Sequence, residues 1–132
     1  DFIVQYGDSL LNINYDMLYK FFKEKSKPMA LSILPSFLSD EKPNVFCSSS
    51  KKGELVCIYK KKDPPENANY IDYGAIVFDR KVFEDIKEKI FDLSLIQSEL
   101  TYTNQASFFL VEKPYIEIGN PTSYKNALQA LK

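Results

Sequence analysis

The chain has 132 residues, with 17 basic and 18 acidic side chains, a net charge of −1 and 45% hydrophobic residues. This size predicts one domain with a buried core, and the near-neutral charge argues against nucleic acid or an anionic membrane as partner. The sequence contains no histidine, which excludes Ser-His-Asp and Cys-His catalysis and histidine-based zinc sites. Chemistry in this chain therefore has to rest on carboxylates, lysines, backbone amides and a hard metal ion.

The first elements predict a βαβ unit. The apolar run 2–6 is typical of a buried strand in a parallel sheet, which needs a neighbour on each side, and we therefore expect the chain to be a fragment. A helix is predicted from about residue 14 to 25, with Asn12 or Asn14 as its cap. Residues 29–34 predict the next strand, joined to the first by a right-handed crossover.

Two short strands, 45–48 and 55–59, are predicted to form a hairpin whose turn contains Gly53. Cys47 and Cys57 flank this hairpin. A three-residue loop would place them opposite one another, and a two-residue loop would not. We expect two free thiols in a reducing cytosol, and hence a cytoplasmic protein. No apolar run approaches the roughly 20 residues that span a bilayer.

Residues 70–78 predict a long strand, in which Gly74 indicates either a bulge or the close approach of a ligand. Asp79 is expected to cap a helix whose apolar stripe continues to Ile90. Ser94 and Gln97 fit a capping box for a further short helix.

The last part of the chain predicts strands at 106–111 and 115–118 and a final helix opened by Asn120-Pro121. The buried face of that helix is expected to contain Tyr124, Ala127, Leu128 and Leu131. Together the elements predict a single α/β domain, residues 1–132, with a mixed, mostly parallel sheet flanked by helices.

Two acidic residues stand where a cation can bind. Asp8 follows the first strand, and ligands of open α/β sheets bind beyond strand carboxyl ends; the alternative is a carboxylate that caps a turn. Glu117 lies between two isoleucines just before a helix, where a carboxylate is costly unless it faces solvent or a cation. Its alternative is a surface residue on an edge strand.

Further candidates concern a phosphate and a sugar. Lys61 and Lys62 close a lysine run that indicates either a phosphate clamp or a solvated strand end. Gly74 would leave room for a sugar ring whose hydroxyl groups donate hydrogen bonds to Asp72, or it would simply mark a bulge.

Four segments, 2–10, 56–62, 70–78 and 115–124, resemble in this order the carboxyl-terminal part of sugar-1-phosphate nucleotidyltransferases. The resemblance is greatest to the bacterial enzymes assigned to heptose or mannose 1-phosphate. It implies the carboxyl-terminal part of a Rossmann-like nucleotidyltransferase fold, similar to the glycosyltransferase-A fold. It also implies that the amino-terminal glycine-rich loop, which holds the nucleoside triphosphate, is missing from this chain.

The resemblance implies roles for the candidate residues. Asp8 and Glu117 would hold a catalytic Mg²⁺, and Lys62 would contact the sugar phosphate. Lys61 stands where many relatives carry a glutamate for sugar hydroxyls, so the contact made here differs. Asp72 falls where relatives often use asparagine before a glycine, which favours a sugar contact.

The implied reaction joins a nucleoside triphosphate to a sugar 1-phosphate, releases pyrophosphate and forms an NDP-sugar for polysaccharide biosynthesis. The chain by itself is expected to be inactive, because its four glycines are scattered. The implied partners are these two substrates, without nucleic acid or membrane, and a homo-oligomer is left open. The alternatives are a non-catalytic sensor or assembly module of the same fold and a metal-dependent glycosyltransferase.

Overall fold

The computed structural model describes all 132 residues as a mixed α/β fold. The helices are α1 (Tyr15–Lys25), α2 (Leu93–Tyr102) and α3 (Pro121–Ala130). The strands are β1 (Phe2–Gln5), β2 (Ser9–Leu10), β3 (Met29–Pro35), β4 (Val45–Ser49), β5 (Leu55–Tyr59), β6 (Tyr70–Phe78), β7 (Ala106–Leu110) and β8 (Ile116–Glu117). Short 3₁₀ turns occur at Ser36–Leu38 and Arg80–Phe83. None of the helices combines the length and the apolar character that crossing a bilayer requires.

The main sheet has the strand order β5-β4-β6-β3-β7, and β1 also pairs with β6. The mixed sheet with flanking helices is confirmed, but the prediction that it is mostly parallel is wrong. Only β3 and β7 are parallel, because β6 enters the sheet antiparallel to β1, β3 and β4. Strands β1 and β3 share one direction, as the predicted βαβ unit requires, with β6 between them.

Strand β1 was predicted to belong to a parallel sheet and to lack one of its two neighbours, and the parallel pairing is wrong because β1 is antiparallel to β6. It pairs with β6 alone, so Phe2 and Ile3 keep 40% and 39% of their surface exposed. The separate strands β2 and β8 form a two-stranded antiparallel ribbon, which connects the segment after β1 with the segment before α3.

The core lies on both faces of the main sheet. Leu18 and Phe22 of α1 pack on one face against Ala30, Ala75 and Val77. The opposite face is covered by α2, and on that face apolar side chains of all five strands from β5 to β7 form the largest buried cluster together with Leu100 of α2. Because both faces of the main sheet are buried, the sequences of β3 and β6 are continuous apolar runs.

The predicted bulge at Gly74 is confirmed. Between the partner pairs Leu31–Ile76 and Ile33–Asp72, strand β3 contributes one residue where β6 contributes three. The buried Ser32 side chain fills the interruption, since its hydroxyl donates to the Ala75 carbonyl at 2.6 Å and accepts from the Ala75 amide at 3.3 Å. Ala75 thus keeps both of its backbone groups hydrogen-bonded at the bulge.

The hairpin turn has the three-residue loop, residues 51–53, that places Cys47 opposite Cys57. Gly53 adopts φ +77°, as such a loop requires. The two cysteines form a disulfide, so the prediction of free thiols is wrong. The expected reducing compartment was inferred from those thiols and loses this support.

Two helix caps agree with the sequence prediction. The Asn14 side chain accepts a hydrogen bond from the Met17 amide at 3.1 Å, and the Asn120 side chain accepts from the Ser123 amide at 2.8 Å. Pro121 occupies the first position of α3, where its missing N–H costs nothing.

Three predictions near the other helices are wrong. Asp79 caps only the turn Arg80–Phe83. Phe83 packs against the core but Ile90 is 93% exposed, so the apolar stripe does not continue into a buried helix face. Helix α2 begins two residues earlier than expected because Asp92, and not Ser94, accepts the capping hydrogen bonds.

The buried face predicted for α3 is likewise mostly wrong. Ala127 is buried, whereas the other three apolar positions are about half exposed or more, namely Tyr124, Leu128 and Leu131. The reason is that α3 makes its main contact with the short strand β8 and lies away from the main sheet.

Candidate functional site

A depression of about 260 Å³ lies where β1 and β5 end and where β6 forms its bulge. Its charged lining groups are Asp8, Glu41, Lys61, Asp72 and Asp92. Four carboxylates and one ammonium group around a small depression suit a ligand that offers hydroxyl groups, a cation and a phosphate.

The structure brings three of the predicted residues, Asp8, Lys61 and Asp72, into this depression. Lys62 and Gly74 do not line it. Glu117 lines a neighbouring depression that shares Glu41 and Tyr115 with the first. The two depressions are therefore adjacent.

The ribbon of β2 and β8 brings the two predicted metal ligands close in backbone position. The Ile118 amide donates to the Asp8 carbonyl at 2.9 Å, and Glu117 lies opposite Ser9. Residues next to each other on a strand point to opposite faces, which agrees with Asp8 and Glu117 lining different depressions. Their joint binding of one ion stays a prediction.

The chemistry of the two carboxylates fits Mg²⁺. The Asp8 side chain accepts only a 3.3 Å hydrogen bond from the Ser9 hydroxyl, and neither Asp8 nor Glu117 is part of a salt bridge. No three His, Cys, Asp or Glu side chains are grouped so that they could hold a metal ion. Mg²⁺ is usually bound by one or two carboxylates and keeps its other coordination positions for water and phosphate. A structural zinc site instead takes four protein ligands.

The Asp72 carboxylate is held by hydrogen bonds inside the protein. Its Oδ2 accepts from the Tyr6 hydroxyl at 2.5 Å and from the Gln97 amide group at 3.0 Å, and its Oδ1 accepts from the Gly74 amide at 3.0 Å. These bonds connect β1, β6 and α2 at the floor of the depression. A sugar contact by Asp72 stays a prediction, and these internal donors already occupy both of its oxygens.

Burial determines the ionisation of this group. Desolvation raises the pKa of Asp72, against the effect of the hydrogen bonds from Tyr6, Gln97 and Gly74. Desolvation, followed by the charge of Asp72, raises the pKa of Tyr6 far above its ordinary value. The Tyr6 phenol therefore remains a proton donor to Asp72 at neutral pH.

We expect the raised pKa of Asp72 to appear in the pH dependence of stability. A carboxyl whose pKa is higher in the folded state holds more protons than in the unfolded state, so stability falls as pH rises from the unfolded pKa toward the folded one. The free energy of unfolding of wild type, relative to Asp72→Asn, is therefore expected to decrease as the pH rises above the unfolded pKa of about 4. Urea unfolding at several pH values measures it.

Asp92 provides a control of opposite sign. Hydrogen bonds from Ser94, and then the charges of Lys61 and Lys62, hold the pKa of Asp92 below its usual value. Wild type relative to Asp92→Asn is expected to lose stability as pH falls through that lowered pKa. The assignment would be contradicted if the stability of wild type relative to the two variants depended on pH in the same way. It would also be contradicted if the stability of wild type relative to Asp72→Asn increased with pH.

The space beside Gly74 is occupied by the Tyr6 ring. A Cβ atom placed on Gly74 would lie 3.0 Å from Cδ2 of Tyr6, and the next two nearest atoms also belong to Tyr6. A contact between Gly74 and a sugar stays a prediction. What the glycine provides in this structure is room for the aromatic ring that hydrogen-bonds to Asp72.

Sequence reasoning missed several residues of the depression, among them Tyr6, Glu41, Gln97 and Tyr115. Gln97 was assigned to a capping box, but it is 1% exposed and bonded to Asp72 and Tyr6. Its position on the buried side of α2, between Leu93 and Leu100, was a signal that it needs a polar partner inside the protein. Glu41 lies in an irregular segment and gave no such signal.

No protein-family model and no curated protein matches this sequence. Solved structures do match its fold. One is assigned as a glucose-1-phosphate thymidylyltransferase from Bacillus anthracis, in complex with sucrose, with a TM-score of 0.72 and 16% identity over 97% of this chain and 53% of that one. Another is a UTP-bound UGPase from Acinetobacter baumannii, with a TM-score of 0.74 and 16% identity over 99% of this chain and 50% of that one.

A third match is HddC from Yersinia pseudotuberculosis, with a TM-score of 0.61 and 19% identity over 99% of this chain and 55% of that one. The same protein has been solved in complex with GMP-PN. This chain thus spans about half the length of the solved structures that it matches. At these identities the comparisons show the fold: the chain has the fold of sugar nucleotidyltransferases over nearly all of its residues.

Proposed function

We propose that the protein to which this chain belongs is a sugar-1-phosphate nucleotidyltransferase, which joins a nucleoside triphosphate to a sugar 1-phosphate and releases pyrophosphate. The observation that carries the proposal is the depression at the strand ends, in which Asp8 and Lys61 lie together within a nucleotidyltransferase fold. In this proposal the 132-residue chain contributes the groups that bind the sugar phosphate and the carboxylates that bind Mg²⁺.

The reaction suits a site without histidine. An oxygen of the sugar 1-phosphate attacks the α-phosphorus of the triphosphate in line with the leaving pyrophosphate, and no proton has to be removed from a phosphate dianion. Lys61, which lines the depression, holds the attacking phosphate, and Lys62, which lies outside it, adds positive charge nearby, so the chain acts by alignment and by charge. Asp8 and Glu117 would hold Mg²⁺, which when bound supplies further charge neutralisation at the phosphates.

The triphosphate needs a binding loop that these 132 residues do not form. Gly7, Gly53, Gly74 and Gly119 lie in separate turns and strands. A cradle of backbone amides requires several consecutive residues in a glycine-rich loop. We therefore propose that the 132-residue chain alone releases no pyrophosphate.

The substrates we propose to test first are mannose and heptose 1-phosphates with a guanosine triphosphate, for polysaccharide biosynthesis. The support is the sequence resemblance, together with the GMP-PN complex of HddC. A cytoplasmic location and a homo-oligomer remain open proposals.

One observation favours a second candidate, a non-catalytic sensor or assembly module of this fold. Asp8 and Glu117 line different depressions, and a module that lost its chemistry would not need them to share an ion. Such a module would bind a sugar phosphate with no dependence on Mg²⁺. A glycosyltransferase would instead bind a nucleotide sugar and transfer from it.

Isothermal titration of the 132-residue chain with sugar 1-phosphates, with and without Mg²⁺, tests the proposed function. We expect Mg²⁺-dependent binding that Lys61→Met weakens about 10-fold, since one charge-assisted hydrogen bond is lost. Lys20→Met, an exposed lysine of α1 that lines none of the depressions described, is the matched control. Absence of binding by every sugar 1-phosphate, or binding that Lys61→Met does not alter, would refute the proposal.

A further inference from the structure

Four carboxylates line the depression, and three of them already have a role. Asp72 accepts three internal hydrogen bonds. Asp92 caps α2 by accepting from both the amide and the hydroxyl of Ser94. Asp8 is the proposed metal ligand. Glu41 is the one acidic side chain of the depression without a structural or proposed duty.

The loop that carries Glu41 is fixed at both of its ends. At its start the Ser36 amide donates to the Asn69 carbonyl at 2.9 Å, and at its end the Asn44 side chain accepts from the Asp72 amide at 2.9 Å. Strand β4 begins directly afterwards, at Val45. A loop anchored to β6 in this way can hold a side chain at one place on the rim of the depression.

The Glu41 carboxylate itself faces the site. It is exposed, forms no salt bridge and lines the depression together with Tyr115. Both depressions include Glu41, so it stands between Asp8 on one side and Glu117 on the other.

The chemistry of the Glu41 side chain determines which part of a ligand it can bind. An ionised carboxylate only accepts hydrogen bonds, so it binds hydroxyl donors and repels a phosphate. Lys61, in the same depression, has the opposite preference. A sugar 1-phosphate presents both chemistries at two ends of one small molecule.

We propose that Glu41 determines sugar specificity by accepting hydrogen bonds from hydroxyl groups of the sugar whose phosphate Lys61 holds. This inference rests on the proposed function. It adds a specificity-determining residue, placed on the loop before β4, to the groups that bind phosphate and metal.

Titration of the 132-residue chain with mannose 1-phosphate, glucose 1-phosphate and inorganic phosphate tests the inference. Glu41→Gln is expected to weaken binding of the preferred sugar 1-phosphate about 10-fold and to leave inorganic phosphate unchanged or bound more tightly. A deoxy analogue that lacks the contacted hydroxyl is expected to bind wild type and Glu41→Gln equally. Glu88→Gln, an exposed glutamate outside both depressions, is the matched control.

The outcomes separate the two proposals. If wild type binds sugar 1-phosphates and Lys61→Met weakens them while Glu41→Gln does not, the role of Glu41 is overturned and the proposed function stands. If Glu41→Gln weakens inorganic phosphate and sugar phosphate equally, its effect is not on the sugar, and the inference also fails. If wild type binds no sugar 1-phosphate, both proposals fail.

Discussion

Replacing Asp8 by asparagine is expected to lower pyrophosphate release by the whole protein roughly 100-fold or more. The variant keeps the shape of the side chain but removes the negative charge that a divalent cation requires. Asp8 carries no internal hydrogen bond beyond the 3.3 Å contact with Ser9, so the fold should tolerate the change. A coupled assay of pyrophosphate measures turnover, and titration with Mg²⁺ measures the lost ion affinity separately.

Asp85→Asn is the matched control, since Asp85 is exposed after the Arg80–Phe83 turn and forms no salt bridge or side-chain hydrogen bond. Glu117→Gln and the double variant then test whether both carboxylates hold the same ion. A shared ion makes the two effects strongly non-additive, whereas independent roles make them add. Near-normal turnover of the Asp8→Asn variant would show that Asp8 does not hold a metal ion needed for the reaction.

Gly74→Ala is expected to lower the free energy of unfolding by about 2–4 kcal/mol, the largest stability effect we foresee for a single added methyl group. Two costs combine at this position. Gly74 has φ +98°, where an alanine is strained, and the new Cβ would lie 3.0 Å from the Tyr6 ring. The ring would have to move, and its hydrogen bond to Asp72 would weaken. Urea unfolding followed by circular dichroism measures the change.

Gly53→Ala separates the two costs. Gly53 also has a positive φ, of 77°, but no atom lies within 4 Å of the position of an added Cβ. Its destabilisation should therefore reflect backbone strain alone, about 1 kcal/mol. Equal losses for the two variants would show that the contact with Tyr6 contributes nothing.

The sequence predicts the elements best where local chemistry decides them. Asn14 and Asn120 cap their helices because their short side chains reach the free amides of the first turn, and Pro121 fits the first helical position. Gly53 and Gly74 mark positive-φ positions in a turn and a bulge. These effects involve residues within a few positions of one another.

Predictions that depended on distant partners were less successful. The direction of β1 relative to its neighbour depends on β6, whose paired residues come at least seventy positions later, and no periodicity encodes that pairing. Gln97 fits a cap by its spacing, yet its partners are Tyr6, directly after β1, and Asp72 of β6. The stripe ending at Ile90 has helical spacing, but Ile90 itself has no surface on which to pack.

The candidate site shows the same division. Asp8, Lys61 and Asp72 could be named because each follows or interrupts a strand in a recognisable motif, and the structure brings all three into one depression. Glu41 could not be named, because its place in the depression depends on how the loop before β4 is tied to β6.

The ribbon of β2 and β8 joins segments near opposite ends of the chain. Contacts so distant in sequence carry a large loop-closure entropy, and they form late when a protein folds. During synthesis, Asp8 leaves the ribosome long before Glu117 exists. A nascent chain that has not yet reached residue 117 therefore holds most of the main sheet but only one of the two carboxylates, so the proposed ion site can assemble only after β8 has been made.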